Sequence, residues 1–227
     1  MTGCGPQPAR LRSEHPPRLS PDRRIRVFDR IAWFYGLLFR VQRIRFRRIF
    51  QAPRRRLGLP ERGRILDIGC GTGAYLSVMA DMGYEVWAVD ASPRMVATAR
   101  RLLRRAGLAD QAARVSPGDP LEGLGFPDRH FDLVLAAHVL HGLVPAQRRK
   151  LYGEAARVSR GTVLFHDYAD RRLPGPGFVA RVLEALERSD YRRFRRNGLE
   201  EMRACFASAE ILPSAPGSAW YLCRLPS

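Results

Sequence analysis

Arg64-Ile-Leu-Asp-Ile-Gly-Cys-Gly-Thr-Gly-Ala74 decides how this chain is read. Ile65, Leu66 and Ile68 form a short apolar run of strand type. Gly69, Gly71 and Gly73 follow, and a helical pattern then runs from Ala74 to Met82. Glycines at a strand-to-helix turn let the backbone come close to a ligand, because no Cβ stands in the way. The amides at the helix start then face that ligand. A tight turn that binds nothing is the bland alternative. The strand before, the helix after and an acidic residue downstream favour a binding turn.

The nature of the ligand follows from charge. Gly69-x-Gly71-x-x-Ala74 also fits the dinucleotide fingerprint, in which a pyrophosphate sits on the helix start. Asp67 opposes that fit. Its carboxylate, two residues before the first glycine, would repel a pyrophosphate and would suit a cofactor bearing an ammonium and a sulfonium. S-adenosylmethionine carries both.

ILDIGCGTG followed by Glu85-Val-Trp-Ala-Val-Asp90-Ala91-Ser92 resembles the first two signature motifs of class I S-adenosylmethionine-dependent methyltransferases. Further on, GDPLEGLGFPDRHFDLVLAAHVLHGL is similar to their later motifs, nearest the branch acting on small molecules such as quinone and lipid precursors. The resemblance covers residues 57–170. It implies a Rossmann-like, doubly wound, mostly parallel seven-stranded sheet with an N-terminal helical cap over the substrate pocket. In such a family an acidic residue after the third strand accepts from the adenine amino group, and Asp119 matches it. The resemblance implies a cofactor-binding set of Asp67, Gly69, Cys70, Gly71, Gly73, Asp90, Ala91, Asp119, Pro120 and His138, with Cys70 chiefly a small packing residue inside the turn.

The chain has 227 residues and a net charge of +17. That length fits one domain with an appendage. Residues 1–64 hold 17 arginines against Glu14, Asp22, Asp29 and Glu61, so they carry +13; the other 163 residues carry +4. The charge thus belongs to the N-terminal arm. Lys150 is the only lysine, a bias that weakens any reading of arginine as a recognition device. No apolar run reaches the roughly 18 residues needed to cross a bilayer. No secretory signal opens the chain, which points to the cytoplasm. Cys4, Cys70, Cys205 and Cys223 lack metal-ligand spacing, and no metal is expected.

Three segments are expected: a disordered basic arm over 1–23, a helical cap over 24–56 and the cofactor-binding domain over 57–227. In the cap, Phe34, Leu37, Leu38, Val41 and Ile44 recur at helical spacing, and Pro53 with Arg54-Arg55-Arg56 ends the segment. Such a helix packs on the domain. With Trp33, Tyr35 and its arginines, the sharper reading of 24–50 is peripheral contact with a membrane face.

Asp90 ends the second strand, 19 residues after Gly71, where a carboxylate can accept both ribose hydroxyls. Ser92-Pro93 starts a helix running to Arg105. Ala113–Ser116, Phe131–Ala137 and Thr162–Phe165 read as further strands, with a helix from Pro145 to Ser159. Helices are expected over 178–188 and from an Asn197–Glu200 capping box to Phe206. Ile211–Leu212 and Ala219–Cys223 then form a closing hairpin, with Pro213 and Pro216 in its connection. Ligands of such sheets lie beyond the carboxyl ends of the strands. That rule singles out His138 and His141 after the fourth strand and His166, Asp167 and Tyr168 after the fifth. His141 and His166 are the candidate catalytic bases.

The leading reading is in-line methyl transfer to a small organic or amphiphilic acceptor. No Asp/Asn-Pro-Pro-aromatic motif follows the fourth strand, and no cysteine follows a proline. Enzymes that methylate nucleic-acid bases carry such residues. Nucleic acid stays open as a partner, through an RNA methyltransferase or a non-catalytic binder that uses the basic arm and Arg192–Arg196. A nucleotide-dependent oxidoreductase is the third reading.

Overall fold

In the computed structural model of the chain, residues 39–56, 62–169, 191–215 and 217–226 are described. In chain order the elements are α1 (Phe39–Arg56), β1 (Arg64–Ile68), α2 (Ala74–Asp81), β2 (Glu85–Asp90), α3 (Pro93–Arg105), α4 (Ala109–Ala113) and β3 (Val115–Pro117). They are followed by β4 (Phe131–Ala137), a 3-10 turn (Leu140–Gly142), α5 (Pro145–Val158), β5 (Ser159–Tyr168), α6 (Tyr191–Arg203), β6 (Ser208–Pro213) and β7 (Ser218–Arg224). The expected disordered arm (1–23), cap residues 24–38, the helix expected over 178–188 and Pro216 lie outside the described residues.

The strands form one seven-stranded sheet in the order β3-β2-β1-β4-β5-β7-β6. The first five run parallel, and β7 runs antiparallel to both β5 and β6. The expected doubly wound, mostly parallel sheet is therefore the observed one. Its order reverses between β1 and β4, where Asp67 stands beside Leu135 and Ile68 beside Ala136. A ligand crevice opens at such a reversal, beyond the strand ends. The loops leaving β1 and β4 carry the glycine turn and His138.

Side chains alternate between two cores. Val134, Val163 and Phe165 join Leu151 and Tyr152 of α5 and Phe194 and Met202 of α6. Leu135, Leu164 and Trp220 face Phe50 of α1, Leu76 and Met79 of α2 and Leu103 of α3. The near-continuous apolar reading of β4 follows from this double coverage.

Several boundaries differ from those the sequence suggests, each for a packing reason. β5 starts earlier and ends later than Thr162–Phe165, because β4 pairs with it as far as His166 and β7 as far as Tyr168. His166, Asp167 and Tyr168 thus lie within the strand. α6 runs unbroken through Asn197-Gly198 and no capping box opens there. A Cβ on Gly198 would come within 2.7 Å of the Phe194 ring. The glycine lets that buried ring lie flat against its own helix. Residues 109–113 form a short helix, α4, and β3 starts two residues late.

α1 runs unbroken through Pro53 to Arg56, the last residue of the expected cap, and Arg54 Nε donates to the Tyr84 hydroxyl at 3.2 Å. Its packed face is also not the predicted one. Phe39 and Phe50 are buried, and Phe46 stacks on Tyr75 with centroids 3.8 Å apart. Val41 and Ile44 face outward. Large aromatic surfaces outweigh smaller aliphatic ones in choosing the face.

Candidate active site

The turn between β1 and α2 is pinned to β2 by its own amides. Gly69 N donates to Val89 O at 2.8 Å and Cys70 N to the same oxygen at 3.1 Å. Gly69 has φ +71°, and a Cβ there would stand 2.5 Å from Val139 Cγ2. Gly71 has φ +54°, and a Cβ there would meet no atom of the described residues within 4 Å. Gly69 is therefore required by a close neighbour, and Gly71 faces open space large enough for a ligand to approach the backbone. Gly73, also at positive φ, packs near Leu103 of α3. Cys70 is buried, and burial pushes its thiol up, so it packs rather than reacts.

Two carboxylates flank this space. Asp90 Oδ2 accepts from Gly71 N at 2.8 Å and Oδ1 from Ser92 N at 2.9 Å, which fixes the carboxylate at the end of β2. Asp67 is buried, and its Oδ2 has no hydrogen-bond partner among the described residues. Burial first, then the charge of Asp90, pushes Asp67 up to about 8, against a pull from the Leu76 amide. A buried carboxyl with an unused oxygen beside an open glycine turn fits a cationic ligand and disfavours a pyrophosphate. Ala91 follows Asp90 and is half-buried. Asp119 lies next to Asp90 through the Gly118 amide, which donates to Asp90 O at 3.1 Å. Its own Oδ1 accepts from Leu121 N at 2.9 Å, an Asx turn around half-buried Pro120.

The histidines divide into two environments. Asp167 lies on the α5 side of β5, and its Oδ1 stands 2.8 Å from His141 Nδ1. Oδ2 accepts from Leu140 N at 2.9 Å and His141 N at 3.3 Å, and Oδ1 from Tyr168 N at 2.7 Å. Burial alone would raise this carboxyl. The charge and hydrogen bond of His141, with His138 and the Tyr168 amide, hold it at about 2. The ionised acceptor requires the proton on His141 Nδ1 and leaves the lone pair on Nε2.

His166 points to the opposite face. Its Nδ1 meets the Tyr75 hydroxyl at 2.7 Å and its Nε2 the Ser214 hydroxyl at 3.2 Å. It is fully buried against Trp220, and burial, then His138, holds it well below the usual histidine range. His138 stands between them at φ +56°, its amide donating to His166 O at 2.7 Å and its ring 4.9 Å from that of His166. A non-glycine residue in the left-handed region is costly and marks a constrained spot. Tyr168 closes the group, 4.7 Å from His141 ring to ring.

Some site residues carry no motif. Tyr75 is the second residue of α2, and its hydroxyl reaches His166. Gln42 of α1 accepts from Thr72 of the glycine turn at 3.0 Å. Arg148 of α5, fully buried, donates to Leu143 O just after the His141 turn and pairs with Glu201 of α6. The signal for Arg148 was only its place on the otherwise apolar face of α5.

Residues 65–161 match the methyltransferase domain family. The matched stretch is similar to the class I S-adenosylmethionine-dependent methyltransferases. A demethylmenaquinone methyltransferase of Tropheryma whipplei is 33% identical over 122 residues, 52% of this chain and 47% of the relative. A ubiquinone biosynthesis O-methyltransferase of Methylocella silvestris is 36% identical over 112 residues, 49% of this chain and 41% of the relative. The chain thus spans less than half the length of these relatives. A SAM-dependent methyltransferase of Aquifex aeolicus shares the fold at TM-score 0.53 and 19% identity, over 78% of this chain and 89% of that one. S-adenosylmethionine is the cofactor of this methyltransferase domain, and the orphaned Asp67 oxygen, the open face of Gly71 and the fixed Asp90 fit it.

Proposed function

We propose that this methyltransferase acts on a hydroxyl of a small organic or amphiphilic acceptor, with His141 as the base. The observation that carries the reading is the His141–Asp167 pair at the carboxyl ends of β4 and β5. S-adenosylmethionine supplies an electrophilic methyl carbon on a sulfonium. Direct displacement needs the acceptor oxygen in line with it, and much of the rate comes from that positioning. An alcohol or phenol must lose its proton as the new bond forms, so a base within reach helps. His141 Nε2 takes that proton. Asp167 fixes the tautomer and stabilises the imidazolium that results.

The other site residues have distinct parts. Asp67 would face the positive end of the cofactor, Asp90 would hold its ribose, and Asp119 with Pro120 would hold the adenine. Gly69, Gly71 and Gly73 let the backbone approach, with Cys70 filling the turn. His138 borders cofactor and acceptor. His166, with both ring nitrogens engaged by Tyr75 and Ser214, shapes the pocket wall rather than moving protons. Rings of His138, His141 and Tyr168 make that wall suited to a flat aromatic or quinol-like acceptor. The names of the two relatives, one acting on demethylmenaquinone and one an O-methyltransferase of ubiquinone biosynthesis, support the same class. An acceptor of that kind is reached at a membrane surface, in keeping with the contact expected of residues 24–50. Incubating the protein with methyl-labelled cofactor and a panel of phenols, quinols, amines and thiols tests this. Label in phenol or quinol oxygens supports it, and label confined to amines or thiols removes it.

A further inference from the structure

Val41 and Ile44 on α1 are 64% and 58% exposed, the large apolar side chains left open among the described residues. They lie three residues apart on one helix face. With Arg45, Arg48 and Ile49 they line a shallow groove. Arg40 and Arg47 border the face on one side and Arg45 on the other, with Arg48 between the two aliphatics. α1 contains eight arginines and no acidic residue. Arg43, on the inner side, pairs with Asp81. Among the described residues, no ion pair ties the four outer arginines.

We propose that this outer face of α1 docks the protein on an anionic lipid bilayer. Two exposed aliphatic side chains ringed by arginines match the requirements of an interfacial helix. The aliphatics enter the acyl boundary, and the arginines bury their stems and keep their guanidinium groups at the phosphates. Either signal alone binds weakly, and the two together anchor. A nucleic-acid face would use the arginines but would lay Val41 and Ile44 against phosphates with nothing apolar to meet them.

The inner face of the same helix reaches the active site. Phe46 stacks on Tyr75, and Gln42 holds Thr72 in the glycine turn. A docked α1 therefore sets the cofactor turn about one helix diameter, roughly 10 Å, from the lipid. This inference does not depend on which acceptor is methylated.

The test is sedimentation of the full chain with vesicles of phosphatidylcholine alone or mixed with phosphatidylglycerol, at about 0.1 M salt. Binding to the anionic vesicles and not to the neutral ones is expected. Val41→Asp with Ile44→Asp should weaken it at least about tenfold. Neutralising Arg40, Arg47 and Arg48 to Gln should weaken it by about fivefold per charge. Calorimetric binding of S-adenosylhomocysteine, unchanged in both variants, shows that they fold. If that binding fails in the wild type, the cofactor reading is at fault and not the docking. Undiminished vesicle binding by the aspartate pair overturns the proposal. So does tighter binding to a single-stranded RNA, insensitive to Val41 and Ile44.

Discussion

His141 and Asp167 meet at 2.8 Å, ring nitrogen to carboxylate, although 26 residues separate them in sequence. They belong to adjacent strand ends, His141 just past β4 and Asp167 inside β5. Asp167 also accepts the backbone amides of Leu140 and His141, so one carboxylate sets both the turn and the ring. His141→Ala should lower kcat by about 100-fold to 10,000-fold, the usual range for a lost general base. Asp167→Asn should lower it comparably while sparing cofactor affinity. Steady-state rates with a phenolic acceptor, beside calorimetric affinity for S-adenosylhomocysteine, check both.

Asp167 also bears on acid stability. Its carboxyl is held at about 2, below the ordinary 3.8. A depressed carboxyl stabilises the fold above its unfolded value and loses that contribution as pH falls through its folded value. Urea midpoints of the wild type should therefore fall between pH 4 and pH 2 more steeply than those of Asp167→Asn. Parallel curves would contradict the assignment.

Asp67 has the opposite sign. Burial pushes it up to about 8, so in the cofactor-free protein at neutral pH it keeps its proton. The native state then binds more protons than the unfolded state between about 4 and 8, and this group lowers stability as pH rises across that window. A cation beside Asp67 favours the ionised form. Binding of S-adenosylmethionine at neutral pH should release close to one proton, and affinity should rise up to about pH 8. Calorimetry in two buffers of different ionisation enthalpy measures the release. Asp67→Asn should abolish it.

Gly69 and Gly71 should respond differently to the same methyl. Gly69→Ala puts a Cβ into Val139 and should lower the melting temperature, with Val139→Ala restoring part of the loss. Gly71→Val should cost about 1–2 kcal/mol of backbone strain but fill only open space. It should remain folded and lose cofactor affinity. Thermal melts and cofactor titrations separate the two.

Arg148 is fully buried and depends on Glu201. Glu201→Ala leaves a buried guanidinium without its carboxylate and should cost about 3–5 kcal/mol. Arg148 also holds Leu143 O, next to the His141 turn. A milder variant, Glu201→Gln, should lower kcat more than it changes KM.

The sheet was legible because its strands are apolar runs punctuated by glycine, proline and serine. β2, α3 and β4 have the boundaries their residues suggest. The glycine turn and Asp90 were legible because spacing alone places them at strand ends. The partner of His141 was not, since pairing across β4 and β5 depends on register, and Asp167 seemed to lie beyond its strand. Tyr75 and Ser214 were invisible for the same reason: each meets His166 only through tertiary packing. The packed face of α1 is chosen by the aromatics Phe39, Phe46 and Phe50, which the spacing of its aliphatic residues does not reveal. Gly198 reads locally as a break, yet the Phe194 ring needs it inside α6.

Titrating the purified chain with S-adenosylhomocysteine and, separately, with NADH tests the central claim most directly. A saturable calorimetric signal with S-adenosylhomocysteine, lost in Asp90→Ala, and none with NADH is the predicted result. Saturation by NADH with no response to S-adenosylhomocysteine would contradict the cation-accepting, carboxylate-flanked site on which the account rests.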